Sequence, residues 1–256
     1  MAKNEVAVKE TNALALAGDF EQDAHGGFEN MSQDDFALPF LKLLTNTSPE
    51  VGEMDGALPG MVLNSVTGQL YDGKKGLMVL PVAYVRQYIE WAPRGSGSSG
   101  APIHIYPATS DVLTKTHRDP SDNKEYLDNG NYIENTANHY VMIIGDSGIP
   151  EPALISMKST QLKKSRKWNS MMMSTKMMGT NGPFTPPMYS QVYRLTTQAE
   201  SNDKGKWFGW EVEKIGPVED MNAYKAAKSF ATQVGTGEVK VKHEHESAPN
   251  ANDVPF

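Results

Sequence analysis

Ten consecutive residues without a charged side chain, GLMVLPVAYV at 76–85, run without a turn signal into RQYIEW at 86–91. A run so rich in branched and aromatic residues reads as a long strand, and a proline inside it, Pro81, predicts a bulge or an edge at that point. Because side chains alternate along a strand, Tyr84, Arg86 and Tyr88 share one face, while Val85, Gln87, Ile89 and Trp91 point the other way. One face then offers ring, cation, ring. The same pattern suits two tyrosines packed in a sheet core with their hydroxyls at its rim, and the sequence leaves both readings open.

Other segments extend this β pattern. MVLNSV at 61–66 and IHIYPA at 103–108 are strand-like, and TGQLYDG at 67–73 is a turn region between MVLNSV and the apolar run. Tyr140–Ile144 and Ala153–Met157 form a hairpin about GDSGIPEP, and MYSQVYRLTTQA and KWFGWEVEKI form another about residues 201–205, with Tyr189, Gln191 and Tyr193 on one face. Two helices are expected. STQLKKSRKWNSMMMSTKM at 159–177 puts Gln161, Ser165, Trp168 and Met172 on one face and Lys163, Lys164 and Lys167 on its neighbour, and DMNAYKAAKSFATQV at 220–234 is amphipathic. MMGTNGPFTPP at 177–187 is too rich in glycine and proline to prolong the first helix. Ser32 with Asp35 makes a capping box leading into Phe36, Leu38, Phe40, Leu41 and Leu44, where Pro39 allows only a short helix or turn. GSGSSGAP at 95–102 is a loop, and residues 114–131 are a polar excursion.

The expected fold is α+β: a twisted, mainly antiparallel sheet, with an OB-like barrel as one form of it, flanking helices and disordered termini. Residues 1–31 read as a mobile acidic arm, 32–234 as a single nucleic-acid-binding domain and 235–256 as a flexible tail.

Charge is what directs the reading to nucleic acid. The chain carries 31 acidic against 24 basic residues, a net −7, yet residues 152–199 contain no Asp or Glu at all. That block holds Lys158, Lys163, Lys164, Arg166, Lys167, Lys176 and Arg194, seven cations, so the rest of the chain is at −14. Ordinary surface helices interleave both signs, and a basic block inside an acidic chain is the electrostatic pattern of a polyanion binder. The block also carries the aromatics Trp168, Phe184, Tyr189 and Tyr193. Cations serve phosphates and flat rings serve bases, so the seven cations and Trp168, Tyr189 and Tyr193, with Tyr84, Arg86 and Tyr88, are the candidate nucleic-acid contacts.

Several function classes lack their residues. Without cysteine there is no disulfide, thiolate chemistry or Cys-based metal site, and a reducing compartment fits. The N-terminus lacks the apolar core of a signal peptide, and no 18-residue apolar run is present, which leads to the expectation of a cytoplasmic protein with no membrane partner. Gly145-Asp146-Ser147-Gly148 resembles the serine segment of trypsin-like proteases, but the histidine motif and the cysteines of that family are missing and a turn explains it. No phosphate loop, dinucleotide fingerprint or histidine cluster with metal-ligand spacing is present, so no catalytic residue, metal or cofactor is expected.

The chain ends Asp253-Val254-Pro255-Phe256. This resembles the C-terminal tips of bacterial and phage single-stranded DNA-binding proteins, in which acids precede a terminal Phe that recruits replication enzymes; here only Glu244, Glu246 and Asp253 supply the acids. PFLKLLTNTSPEV at 39–51, TGQLY at 67–71 and VLPVAYVRQYIEWAPR at 79–94 also resemble phage proteins of the single-stranded DNA-binding kind, including the Drc type that serves as a cofactor of a phage RNA polymerase. The resemblance implies a protein that coats exposed strands in the host cell cytoplasm during phage replication or transcription. It also implies a homo-oligomer or cooperative binding on DNA, and docking of a DNA or RNA polymerase through Asp253, Pro255 and Phe256. A virion or assembly protein whose basic block contacts packaged DNA or an acidic partner is the alternative. A metal-dependent nuclease is a third, disfavoured by the lack of carboxylates in the basic block.

Overall fold

The structure, a computed structural model, describes residues 19–32, 35–93, 95, 100–145, 148–202, 205–239 and 241. The described residues up to 36 form a unit of their own, with a helical turn at 19–22. In it, the Ser32 backbone N–H and hydroxyl both donate to Asp35 Oδ2, at 2.8 and 2.9 Å, which is the return bond of the expected capping box.

From residue 37 the chain builds an α+β fold around an antiparallel sheet curled into an OB-like half-barrel. Its axis is the apolar run, now strand β4 (Leu77–Trp91). The small strands β1 (Leu41–Leu43), β2 (Val62–Asn64) and β3 (Leu70–Tyr71) precede it, with a one-turn helix α1 (Glu50–Glu53) between β1 and β2. Here the structure corrects the sequence reading: Pro39 and Phe40 lead into a strand, not a helix. The Leu154 N–H donates to the Pro39 carbonyl, and this pairing takes the segment out of helical conformation.

Beyond β4 come β5 (His104–Pro107), β6 (His117–Arg118), β7 (Glu125–Tyr126), β8 (Tyr132–Ile144) and β9 (Pro150–Lys158). Then follow helix α2 (Leu162–Ser174), a ribbon of β10 (Met177–Gly179) and β11 (Gly182–Phe184), the hairpin β12 (Gln191–Asn202) and β13 (Gly205–Pro217), and helix α3 (Met221–Thr236). The sheet runs β13-β12-β4-β8-β7-β6, with β5 added to β4 and β9 to β8. The β4–β8 register slips between Pro81 and Ala83, which places the bulge where proline cannot donate to the ladder.

Both faces of the sheet are buried, and this explains why the central run is apolar throughout instead of alternating. Val79, Val141 and Ile155 face one core with Trp168 and Met172 of α2, while their neighbours Leu80, Met142 and Leu154 face another with Ala223, Ala227 and Phe230 of α3. Helix α3 begins at Asp220, whose carboxylate accepts the Asn222 N–H, and ends at Gly237, whose φ of 76° completes a left-handed cap. Among the described residues no helix is long and apolar enough to cross a membrane.

Candidate nucleic-acid interface

Strand β9 turns into α2 through Ser159, a non-glycine residue with φ of 49°, and a short 3-10 turn, Ser159–Gln161. Ser165, Trp168 and Met172 then recur at helical spacing and face the core, and Gln161 Oε1 accepts the Trp210 N–H at 3.0 Å, tying the start of α2 to β13. With that face fixed, Lys163, Arg166 and Lys167 point to solvent along the opposite side. They and Lys164 line an open pocket of about 730 Å³, completed by Ser159, Thr160 and Glu200.

The four cations are not equivalent. Lys164 Nζ is held between Glu200, at 2.9 Å, and Glu211. Burial pulls its pKa down, yet the hydrogen bonds to the two carboxylates outweigh this and leave it raised. The bond from Lys164 in turn holds the Glu211 carboxyl below its ordinary range. Lys164 is thus a clamp between α2 and the β12–β13 hairpin. Lys167 lies 3.7 Å from Glu211 with its side chain 59% exposed, while Lys163 and Arg166 have no ion pair among the described residues. Two more block cations are paired from outside the block: Lys158 with Glu134 at 3.2 Å, and Arg194 with Glu213 at 3.3 Å. The charge segregation seen along the sequence is therefore partly undone in space. Acids on β8, β12 and β13, lying outside residues 152–199, return to meet the cations.

The aromatic candidates need a larger correction. Trp168 and Tyr193 are fully buried, and Tyr88 is nearly so. The Trp168 indole stacks on His139 at 4.5 Å and meets Tyr193 edge-on at 5.8 Å. Their rings form core and offer no face to a base, because the sheet and α2 close over them. Tyr84 is half-buried against His139, and Tyr189 packs on Tyr224 of α3. The face expected to read ring, cation, ring keeps its register, but only Arg86 is exposed on it, with its guanidinium donating to Asn135 Oδ1 and to the Tyr88 hydroxyl. Arg194 follows core-facing Tyr193 on β12 and so points to the sheet face away from α2. Lys176 is exposed after α2 and donates to Thr185 Oγ1. Asp253, Pro255 and Phe256 lie outside the described residues.

Two elements of this region escaped the sequence reading. Glu200 and Glu211 could have been suspected, since the expected hairpin brings both onto strands that pack beside the basic helix. Gln161 was placed on the buried face, but nothing in its identity announced a bond to a strand backbone.

Beneath the pocket, the His139 imidazole shares a hydrogen bond of 2.8 Å with the Ser165 hydroxyl, and its Nδ1 finds no partner among the described residues. Burial lowers its pKa from 6.5 to about 3. With the folded value depressed, the unfolded chain takes the proton first. Stability from this group is full above pH 6.5 and is lost as pH falls towards 3, by at most about 1.4 kcal/mol per pH unit. Urea unfolding at pH 7 and pH 5 should therefore show a loss of about 2 kcal/mol that is smaller in His139→Gln. An equal loss in both proteins would mean that other groups govern acid sensitivity.

A family model for Pam3 phage gp34-like proteins matches residues 8–240. The chain belongs to that family. The match spans helices α1 to α3, the whole sheet and the basic pocket, and makes this a phage protein. No curated protein and no solved structure matches the chain. Among the described residues of this gp34-like protein, no group of three or more His, Asp or Glu side chains is placed to hold a metal ion.

Proposed function

We propose that this gp34-like protein is a non-enzymatic single-stranded DNA-binding protein, acting in the host cell cytoplasm on strands exposed in phage replication or transcription, as the Drc type does. The observation that carries this is the solvent face of α2, where Lys163, Arg166 and Lys167 line one open pocket and two of them have no ion pair among the described residues. Stability alone would not select this arrangement. Cations in a helix's first turns oppose its macrodipole, and like charges three and four residues apart repel, each costing a few tenths of a kcal/mol or more. What the arrangement supplies is concentrated positive potential.

Phosphates are the ligand that such a surface suits, and binding through phosphates is tolerant of base sequence. Binding of labelled oligonucleotides of about 30 nucleotides, long enough for one or more sites, tests the class of ligand. Single-stranded DNA should bind more tightly than duplex. Preference for duplex would point instead to a packaged-DNA contact and the virion reading.

The terminal Asp253, Pro255 and Phe256 complete the proposal as a peg for a replication or transcription polymerase, captured by ring and carboxylate together. Deleting residues 243–256 should leave single-strand affinity intact or raised, because the tail's acids no longer compete for the pocket, while co-purification with the phage polymerase is lost. Truncation that abolished DNA binding would contradict this division of labour.

A further inference from the structure

The burial of Trp168, Tyr193 and Tyr88 leaves the base-contacting part of the interface unassigned, and the structure offers a replacement. The β10–β11 ribbon follows α2 after two residues and carries three exposed apolar side chains, Met177, Met178 and Phe184, the last two 79% and 46% exposed. In its register Met177 stands opposite Phe184 and Gly179 opposite Gly182, so these four share one face, with Met178 and Pro183 on the other. The Phe184 ring lies diagonally over Gly179: a Cβ there would come within 3.2 Å of the ring's Cδ1. Glycine thus makes room for the ring to rest on the ribbon and still remain nearly half open to solvent.

Charge leads to this ribbon. Lys163, Arg166, Lys167, Ser170, Met173 and Ser174 form the exposed face of α2 from its first turn to its last, and by helical rise Lys163 and Met173 are about 15 Å apart along the axis. The face ends where the ribbon begins, and there Lys176 is bonded to Thr185, the residue after Phe184. A ligand along this path must be anionic at one end and present a flat apolar surface at the other. Unpaired nucleotides meet both demands.

We propose that the β10–β11 ribbon is the base-stacking element of the interface, with Phe184 stacking on an unpaired base, Met177 beside it on the same face, and the α2 cations holding the adjoining phosphates. This rests on the single-stranded DNA reading above. The full chain, Phe184→Ala and Phe184→Trp are titrated against labelled oligothymidylate across a salt series. Phe184→Ala should weaken binding about 5- to 150-fold, the range of one stacked base, with an unchanged salt slope, because every cation that meets a phosphate is still in place. Phe184→Trp should keep the affinity and show indole quenching on binding beyond that of wild type. If wild type binds and Phe184→Ala binds equally well, the ribbon assignment is overturned and the pocket reading survives. If wild type fails to bind, both fall. If Phe184→Ala keeps its affinity but changes the sedimentation of the free protein, the ribbon is a self-association surface and the proposal is overturned.

Discussion

Replacing Lys163, Arg166 and Lys167 together with Ala should reduce single-strand affinity on the order of 10²-fold at 50 mM salt and flatten the log–log salt slope by about 2, from roughly 0.7 for each phosphate no longer neutralised. These three side chains are exposed, so the folded structure should tolerate the change. Lys164→Ala is the informative control. Its ammonium is engaged by Glu200 and Glu211, so its removal takes from both carboxylates the cation they share and loosens α2 from the β12–β13 hairpin. Lys164→Ala should lower the unfolding midpoint while the salt slope changes less than in the triple variant. A triple variant with wild-type affinity and slope would remove the pocket from the interface.

Trp168→Ala should destabilise the protein by about 3–5 kcal/mol, the usual cost of emptying a large aromatic site. Burying an indole removes about 150–250 Å² from water, which at 25 cal/mol/Å² is about 4–6 kcal/mol and sets the ceiling. The ring is fully buried between His139 and Tyr193, and the sheet cannot collapse far into the space because β4, β8 and β9 are held in register by their ladders. Chemical denaturation read by far-UV circular dichroism gives the magnitude. Trp168→Phe separates burial from stacking: it should recover much of the stability, and at a salt where both are folded it should bind DNA as wild type does. A Trp168→Ala protein of undiminished stability that had lost DNA binding would restore Trp168 to the interface.

The elements governed by local pattern were legible in the sequence. Pro81 marked the bulge in β4, the 3.6-residue spacing of Ser165, Trp168 and Met172 marked the buried face of α2, and glycine-containing turns marked the β8–β9 and β12–β13 hairpins. Features that depend on what crosses over from elsewhere were not. Whether Trp168 and Tyr193 stack on a ligand or fill a core depends on the opposing face of the sheet, and a tyrosine on an alternating strand reads the same in both cases. The acid-free block located the cations correctly but could not show that Glu134, Glu200, Glu211 and Glu213 would reach back to pair with four of them. Phe184 is legible as one of the rings of the basic block, but the glycines and prolines around it argue only against a helix, although the same residues build the tight ribbon that carries it.

The central claim is that the exposed face of α2 binds the phosphates of a single strand. Its most direct test is fluorescence anisotropy of a labelled single-stranded oligonucleotide with the wild-type protein over a salt series. The account predicts tight binding at low salt that weakens linearly in log–log form with a slope near −2 or steeper, since at least three cations contribute about 0.7 each. No binding to single-stranded DNA at low salt would contradict it, and the basic pocket would then be a docking surface for an acidic protein.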